Sequence, residues 1–218
     1  MNNIILIDNF ISNDEILKCK DEINNIKNIL REDRFDDEKN INVVARYNRI
    51  YLDEHYKGFR DNSYILKLIH EKLFADKIYD KANRINDLSF ILLKKSTNHE
   101  TQITSYNNND EYNWHVDSGD ERIWSGRILN YILFLNDKNF SGGNLEIINS
   151  YPLGNIKSIS EQYKNSHPDY IIKPKNGTLV IMPSYLIHRV TKIKIDDINS
   201  DSMNRRLTIN GHIGFKMS

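Results

Sequence analysis

His115 and Asp117 carry metal-binding side chains two positions apart, in the segment Tyr-Asn-Trp-His-Val-Asp that begins at Tyr112. Alternate side chains of an extended strand point to the same face, so the imidazole and the carboxylate could bind one ion. A histidine and an aspartate at this spacing also occur together by chance. The pair therefore indicates a metal site only if a third ligand comes from elsewhere in the chain.

His188 is the candidate for that third ligand, and it follows an apolar run from Gly177 to Met182. Two histidines and one carboxylate form the facial triad of non-haem iron(II) oxygenases. Three protein ligands on one face of the metal leave three positions open, enough for a bidentate 2-oxo acid and for dioxygen. The imidazoles favour iron over magnesium, and the single carboxylate lowers the charge of the centre.

A polar row follows in the strand-like segment near the C-terminus, where side chains at alternate positions would share a face. The residues on this face are Arg206, Thr208, Asn210 and His212. Such a row either faces solvent or lines a cavity, and in a cavity the arginine at its head would pair with a carboxylate. Arg205 competes with Arg206 for this role, because the phase of the strand separates the two only weakly.

The first third of the sequence predicts helices and short strands. The run from Ile4 to Ile7 indicates a strand, and Ser12 and Glu15 form a capping-box pattern at the start of a helix. Apolar residues then recur three or four positions apart, as in an amphipathic helix. They are Ile16, Cys19, Ile23, Ile26 and Leu30. Further along, the pattern predicts a strand over 43–51 and a helix over 63–82.

After Asn86, short apolar runs alternate with Asn, Gly, Ser and Pro, which predicts a β-sandwich or barrel. The runs are 90–93, 103–106, 128–135, 145–148, 178–182 and 207–213. Residues 149–170 lack a clear periodicity. An insertion of this length either covers a site or is a plain surface excursion.

Length and composition limit the class of protein. The 218 residues fit one domain, and 30 basic residues balance 30 acidic residues, which argues against nucleic acid as the main partner. The single cysteine, Cys19, excludes an internal disulfide and favours a reducing compartment. We find no signal peptide and no apolar run of roughly 18 residues, so we expect a cytoplasmic protein without a membrane partner. The oligomeric state stays open.

The order of these motifs resembles the prolyl 4-hydroxylase type of 2-oxoglutarate/Fe(II)-dependent oxygenase. In that order a His-x-Asp pair is followed by a Gly-Gly turn before a strand, then by a distal histidine after a Gly-led strand, and finally by an arginine. The opening Ile-Leu-Ile-Asp-Asn-Phe-Ile-Ser is similar to the family's first strand and helix. Further similar segments are 105–106, 127–136, 142–146 and 174–183. The resemblance thus covers most of the chain.

The resemblance implies an α+β, mainly β fold: a double-stranded β-helix, or jelly roll, with N-terminal helices that buttress one sheet. Residues 1–218 would form a single oxygenase domain. Within it, residues 1–85 would be a helical support region and residues 86–218 the catalytic core.

The resemblance also implies roles for single residues. The implied metal ligands and catalytic residues are His115, Asp117 and His188. The implied 2-oxoglutarate-binding residues are Arg206, which would pair with the C5 carboxylate, Thr208 and Tyr106. The implied substrate-binding residues, near the substrate entrance, are Arg127 and Tyr112.

Three features depart from the family pattern. Phe134 stands where the family often has a tyrosine that helps to hold the C5 carboxylate. The separation from His188 to Arg206 is long, because residues 194–204 look like an inserted polar loop. His212 stands where the family commonly has tryptophan. We interpret His212 as a core residue; support of the metal ligands and proton donation are the alternatives.

By resemblance, the activity is hydroxylation of a C–H bond, with a prolyl residue of a peptide or protein as the default substrate. Iron(II), 2-oxoglutarate and dioxygen would be required, and ascorbate would support turnover. A free amino acid or another small molecule is the alternative substrate. Two further alternatives are demethylation of nucleic-acid bases, which the neutral charge disfavours, and a non-catalytic jelly roll that binds metal.

Overall fold

Strands dominate the C-terminal two thirds of the chain, and helices are concentrated in the first third. The structure is a computed structural model that describes residues 3–36, 43–57, 59–85, 87–93, 98–118, 126–136, 138–152, 159–196 and 205–215. At 31–36, 43–46 and 98 it describes the backbone only.

The described helices are α1 (Asn13–Ile26), α2 (Leu52–His55), α3 (Tyr64–Leu73), α4 (Asp76–Ala82), α5 (Leu88–Ile91) and α6 (Ile159–Gln162), with 3₁₀ turns at Lys27–Ile29 and Arg60–Asn62. The described strands are β1 (Ile5–Ile7), β2 (Arg31–Asp36), β3 (Val43–Tyr51), β4 (Asn98–Tyr106), β5 (Tyr112–His115), β6 (Arg127–Phe134), β7 (Phe140–Gly142), β8 (Leu145–Ile148), β9 (Tyr170–Ile172), β10 (Leu179–Pro183), β11 (Ile187–Val190), β12 (Ile193–Ile195) and β13 (Arg206–Gly214). The predicted α+β, mainly β class is confirmed.

The main sheet is antiparallel and has two parts. One part has the order β1-β10-β6-β13-β4-β3, with β2 on the far side of β3, and the other has the order β5-β11-β8-β9. A single residue pair, Ala45 with Tyr112, joins β3 to β5. A separate two-stranded sheet pairs β7 with β12. Strand β12 extends over the first two residues of the predicted polar insertion 194–204, of which residues 197–204 lie outside the described residues.

The first helix forms as its sequence predicts. Ser12 Oγ accepts a hydrogen bond from the Glu15 backbone N–H at 3.3 Å, and Glu15 Oε2 accepts one from the Ser12 N–H at 2.8 Å. This capping box satisfies two amide groups that a helix start leaves without partners. Ile16, Cys19 and Ile23 are buried on the inner face of α1.

Two predicted elements are wrong. The helix expected over 63–82 is interrupted at Ala75, which is extended (φ −71°, ψ 151°), and the change of direction lets Ile78 of α4 reach the same core as α3. Residues 90–93 do not form a strand but belong to the α5 region, where Asp87 caps the helix by accepting from the Ser89 N–H at 2.8 Å. A short apolar run fits both states, so the cap residue decides.

The helices cover one face of the larger part of the sheet. Leu207, Ile209 and Ile213 of β13 pack in one apolar cluster with residues of α1, α3 and α4. Alternate side chains of a strand point to opposite faces, so the polar row that begins at Arg206 lies on the face away from the helices. The N-terminal region also contributes β1, β2 and β3 to the sheet, so it is not purely helical. The division into 1–85 and 86–218 stays a prediction.

The insertion at 149–170 packs behind the predicted metal ligands. Ile159 and Tyr163, in and just after α6, contact the cluster that contains Trp114 and Ile187. Trp114 neighbours His115 in β5, so its side chain points to the opposite face. The described residues of the insertion therefore support the back of this sheet; residues 153–158 lie outside the described part. In the described helices we find none with the length and hydrophobicity to cross a membrane.

Candidate metal centre

Strand pairing brings the two predicted histidine ligands together. His188 of β11 is directly opposite His115 at the end of β5. Asp117 follows two residues later, and its backbone N–H donates to the Ser184 carbonyl at 3.0 Å, as the Ser118 N–H does at 3.2 Å. These bonds attach the chain that carries Asp117 to the turn that leads into β11.

The three side chains form a compact group that could hold a metal ion, with ligand atoms within 4.8 Å of one another. His115 Nε2 lies 3.6 Å from Asp117 Oδ1, and His188 Nε2 lies 3.3 Å from Asp117 Oδ2. All three are largely buried, with side-chain exposures of 12, 5 and 19% for His115, His188 and Asp117.

The hydrogen bonds of the two imidazoles determine which nitrogen is available. His115 Nδ1 lies 2.7 Å from the Asn113 carbonyl, and His188 Nδ1 lies 2.9 Å from the Leu186 carbonyl. A carbonyl oxygen only accepts, so each Nδ1 carries the proton. In the neutral form of each ring the lone pair is then on Nε2, the nitrogen nearer Asp117, and this is the tautomer that a metal ligand requires.

Burial and mutual charge set the protonation of the group. Burial, reinforced by His188, lowers the pKa of His115 to about 3. Burial would also lower the pKa of His188, but the Asp117 carboxylate outweighs it and the pKa of His188 is raised. Burial would raise the pKa of Asp117, yet His188, His212 and His115 hold that pKa well below its usual range. Asp117 is therefore ionised, as a metal ligand must be.

Two further residues support Asp117. Asn130 of β6, which is buried, donates from Nδ2 to Asp117 Oδ2 at 2.6 Å. His212 of β13 lies opposite Asn130 in the strand pairing, and its Nδ1 is 2.8 Å from Asn130 Oδ1. Asn130 was missed at the sequence level because a lone asparagine in an apolar run gives no signal. His212 is buried, as interpreted, but it also belongs to this polar chain.

Arg206 is a fully buried cation at the other end of β13. Its Nε donates to the Gly143 carbonyl at 2.8 Å, and its guanidinium lies 4.8 Å from the ring centroid of Tyr106 and 5.3 Å from that of Phe134. Its Nη2 has no hydrogen-bond partner among the residues that the structure describes. A buried guanidinium N–H group needs an acceptor, and a carboxylate suits it best.

Burial distinguishes Arg205 from Arg206, the two rival candidates for pairing with a carboxylate. Arg205 is partly exposed, and its Nη1 donates to Asn107 Oδ1 in a neighbouring loop. Arg206 has 2% of its surface exposed and lies on the face away from the helices. Of the two, Arg206 is the one whose side chain lies on the inner, polar face of the sheet.

A turn without side chains makes room for Arg206. Gly143 has φ +65°, and a Cβ atom there would lie 2.7 Å from Arg206 Cδ. The preceding Gly142 has φ +74°. Glycine is the residue that adopts this backbone region readily. The Gly-Gly pair of the sequence therefore shapes the wall around the arginine.

Three further predicted site residues lie close to Arg206 or to His115. Tyr106 is opposite Arg206 in the pairing of β4 with β13, and burial raises its pKa to about 12, so it stays a phenol. Thr208 Oγ1 lies 3.2 Å from Asn210 Oδ1 on the same face as Arg206. The Tyr112 ring stacks on His115 at 3.5 Å between centroids.

Arg127 lies at the opposite end of β13 from Arg206. It is paired with Gly214 in the strand register, so about 26 Å of strand, at 3.3 Å per residue, separates the two ends. Its Nη2 donates to Glu100 Oε2 at 2.5 Å, and its side chain is 9% exposed. The structure thus places Arg127 beside Glu100 near the His212 end of the strand, and Arg206 at the far end.

Comparison with known proteins decides the family. The sequence profile of the 2OG-Fe(II) oxygenase superfamily matches residues 101–214, more than half of the chain. The chain belongs to the 2OG-Fe(II) oxygenase superfamily. Membership implies iron(II), 2-oxoglutarate and dioxygen, as the resemblance predicted. The matched range contains all the predicted site residues. No curated protein matches the sequence of this oxygenase.

Solved structures of other proteins show the same fold. A Pseudomonas putida prolyl-4-hydroxylase is 15% identical with a TM-score of 0.56, over 100% of this chain and 95% of its own. A Trichoplax adhaerens prolyl hydroxylase, bound to a peptide of hypoxia inducible factor, is 15% identical with a TM-score of 0.62. The match covers 98% of this chain and 84% of the hydroxylase. The epimerase SnoN of nogalamycin biosynthesis is 10% identical with a TM-score of 0.57. The match covers 98% of this chain and 79% of the epimerase. The predicted jelly roll is confirmed.

Proposed function

We propose that this oxygenase hydroxylates a C–H bond, with His115, Asp117 and His188 as iron ligands and Arg206 as the anchor of 2-oxoglutarate. One observation carries the proposal: two imidazole Nε2 atoms and an ionised carboxylate lie together, and the same protein buries an arginine whose Nη2 has no hydrogen-bond partner among the described residues. A dicarboxylate co-substrate explains both, because its 2-oxo acid end needs the metal and its other end needs the cation.

The donor set fits iron. Nitrogen and oxygen ligands in a two-histidine, one-carboxylate group favour iron(II) over magnesium, and three ligands on one side leave room for other molecules. When bound, iron(II) would supply the oxidation by dioxygen, in which 2-oxoglutarate yields succinate and carbon dioxide and the second oxygen atom enters the product.

The protein's own residues hold and orient the reactants. Arg206 would bind the C5 carboxylate through Nη2, because Nε is already engaged with the Gly143 carbonyl. Tyr106, kept neutral by its raised pKa, lies beside the guanidinium and can donate a hydrogen bond to the same carboxylate. Phe134 offers no hydroxyl at the position where the family often has tyrosine, so Arg206 and Tyr106 would carry this contact, with Thr208 nearby on the same strand face.

A prolyl residue in a peptide or protein is our first proposed substrate. The two prolyl hydroxylases cover nearly all of this chain, but at 15% identity the likeness supports the fold alone. The motif order of the sequence is the argument for proline. Under this proposal Arg127 and Tyr112 contact the substrate, and ascorbate sustains turnover by keeping iron in the ferrous state.

A free amino acid is the second candidate, and the Glu100–Arg127 pair favours it. The two groups offer an anion and a cation beside each other at the end of β13 nearer Asn130 and Asp117. A zwitterion would match both, with its carboxylate on Arg127 and its ammonium group on Glu100. An uncharged peptide segment would not use this pairing.

The test is succinate formation from 2-oxoglutarate with iron(II) and ascorbate, using proline-containing peptides and, separately, free amino acids. Wild-type protein should form succinate, and Asp117→Ala should lose it because the metal loses its only carboxylate. Stimulation by peptides supports prolyl hydroxylation, and stimulation by amino acids supports the second candidate. Equal succinate from wild type and Asp117→Ala would contradict the proposed metal centre.

A further inference from the structure

Asp117 accepts a hydrogen bond from Asn130, a buried residue that the proposed function does not use. Asn130 Nδ2 lies 2.6 Å from Asp117 Oδ2, and Asn130 has 2% of its surface exposed. Asn130 sits in the middle of β6, between Leu129 and Tyr131, which pack in the helix-side core. A polar side chain buried in this setting costs free energy unless its hydrogen bonds are made.

The orientation of this amide is determined by His212. The oxygen and nitrogen of an asparagine amide are similar in size, so neighbours decide which one faces a given group. His212 Nδ1 lies 2.8 Å from Asn130 Oδ1. When Nδ1 carries the proton it donates to this oxygen, and the amide nitrogen must then face Asp117. The opposite orientation would place the amide oxygen against an ionised carboxylate, which is repulsive.

The strand register makes this arrangement possible. His212 of β13 is directly opposite Asn130 of β6 on the face away from the helices. His212 is 7% exposed, and burial lowers its pKa to about 4, so it is neutral and has one N–H to donate. His212 and Asn130 therefore lie on two paired strands, and Asp117 lies two residues after the end of β5.

We propose that Asn130 and His212 are positioning residues that hold Asp117 as a one-oxygen metal ligand. The inference rests on the proposed function, because it assumes that Asp117 binds iron. With Oδ2 engaged by Asn130, Oδ1 is the oxygen left for the metal. A carboxylate that uses both oxygens would occupy a second position on the metal, and one of the three open positions needed by the 2-oxo acid and dioxygen would be lost. Neither residue touches the reactants in this assignment.

Cobalt(II) binding tests this role without turnover. Cobalt(II) is a spectroscopic substitute for iron(II), and the intensity of its visible absorption depends on the number of ligands. Asn130→Leu keeps the approximate volume but removes the donor, and we expect cobalt(II) affinity to fall about 10- to 100-fold, the usual effect of removing a partner of a metal ligand. The absorption of the bound metal should also change, because Asp117 becomes free to rotate.

His212 is tested by two matched substitutions. His212→Phe keeps a ring but removes the donor, so we expect weaker cobalt(II) binding and the same spectral change, both smaller than for Asn130→Leu. His212→Asn places an amide nitrogen near the position of Nδ1 and should restore both the affinity and the spectrum toward wild type. A purely structural role would not distinguish the two.

Asn136 is the control for burial alone. It is another buried asparagine next to the end of β6, where its Oδ1 accepts from the Leu207 N–H at 2.9 Å, away from the metal ligands. Asn136→Leu should lower the urea midpoint of the metal-free protein but leave cobalt(II) affinity and spectrum unchanged. If Asn130→Leu behaves in the same way, the positioning role is overturned while the metal centre stands. If wild-type protein binds no cobalt(II) or iron(II), both the inference and the proposed function fail.

Discussion

At the scale of single residues, the site depends on which atom of each side chain is already engaged. Carbonyl oxygens occupy Nδ1 of His115 and of His188, so Nε2 is the nitrogen that faces Asp117 in both. The Gly143 carbonyl occupies Nε of Arg206, so Nη2 is left for a ligand. In each of these three side chains a backbone carbonyl oxygen engages one nitrogen atom, and another nitrogen atom remains for a ligand under the proposed function.

Replacement of Arg206 should weaken 2-oxoglutarate binding specifically. Arg206→Lys keeps the charge but cannot reach the same acceptors with a planar fork, and a lost charged hydrogen bond costs about 1.5–3 kcal/mol, or roughly 10- to 100-fold in affinity. Titration of 2-oxoglutarate into the manganese(II)-loaded protein measures this. Arg205→Lys is the matched control, because Arg205 points to Asn107, and it should bind nearly as wild type does. Equal losses in both variants would mean that Arg206 is not the anchor.

At the scale of elements, turns and strand pairings position the site. His188 is paired with His115 across β11 and β5, and His212 with Asn130 across β13 and β6. A shift of one residue in either pairing would turn a metal-site residue to the other face. The Gly142–Gly143 turn before β8 provides the space in which the Arg206 side chain lies.

Gly143→Ala should damage this turn and the co-substrate site together. The backbone there has φ +65°, and the new Cβ would lie 2.7 Å from Arg206 Cδ. We expect a loss of about 1–3 kcal/mol in the free energy of unfolding and weaker 2-oxoglutarate binding, because Arg206 must move.

Gly177→Ala provides the comparison for this substitution. The φ of Gly177 is +73°, and a Cβ atom there would lie 3.0 Å from the Ile11 carbonyl oxygen. The atoms that it would meet belong to Ile11 and Ile16 and not to Arg206. It should lower stability, measured by urea unfolding, without changing 2-oxoglutarate affinity. If both glycine variants bind 2-oxoglutarate as wild type does, the turn does not shape the site.

At the scale of the whole molecule, one face of the sheet packs against the helices in the hydrophobic core, and the opposite face carries the candidate site. The helices and the apolar residues of β13 form the core, whereas the opposite face carries buried polar and ionisable groups. Burying these groups reduces stability at some pH values, because their charged forms are disfavoured inside the protein. The cost should be visible in the pH dependence of unfolding.

The free energy of unfolding should fall as the pH is lowered from about 6.5 toward 4. Burial lowers the pKa of His99 and His212 to about 4 and that of His115 to about 3, whereas the unfolded value is about 6.5. In this window the unfolded chain binds more protons than the folded chain, so the free energy of unfolding falls as the pH falls. The raised pKa of His188 acts in the opposite direction and offsets only part of this effect.

Urea unfolding at pH 7.5 and pH 5 with a metal chelator measures this slope. His99 lies on the helix side of β4, where its ring is 4.3 Å from Phe74, so His99→Phe changes the titration without touching the metal ligands. This variant should lose less stability between the two pH values than wild type. A wild-type stability that is constant or higher at pH 5 would refute the assignment of buried neutral histidines.

The sequence by itself determined the features that are local or that follow a fixed order. The capping box of Ser12 and Glu15 and strand β3 depend on neighbouring residues, and each appears where the pattern predicts. The motif order also pointed to the correct family and to the jelly roll. The error at 90–93 lies in a short apolar run, whose periodicity does not separate a strand from a helix. The error at 63–82 lies in a longer helical pattern, and the spacing of its apolar residues does not show that the helix is interrupted at Ala75.

Only the tertiary structure decided what depends on distant pairing. Arg205 and Arg206 are neighbours with the same side chain, and only the structure shows that Arg206 is buried against Gly143 and Tyr106 whereas Arg205 is partly exposed. The contact of Asn130 with Asp117, and of His212 with Asn130, joins strands that are far apart in the chain. Strand register fixes these contacts, and no short-range pattern encodes register, because it follows from the packing of the whole sheet.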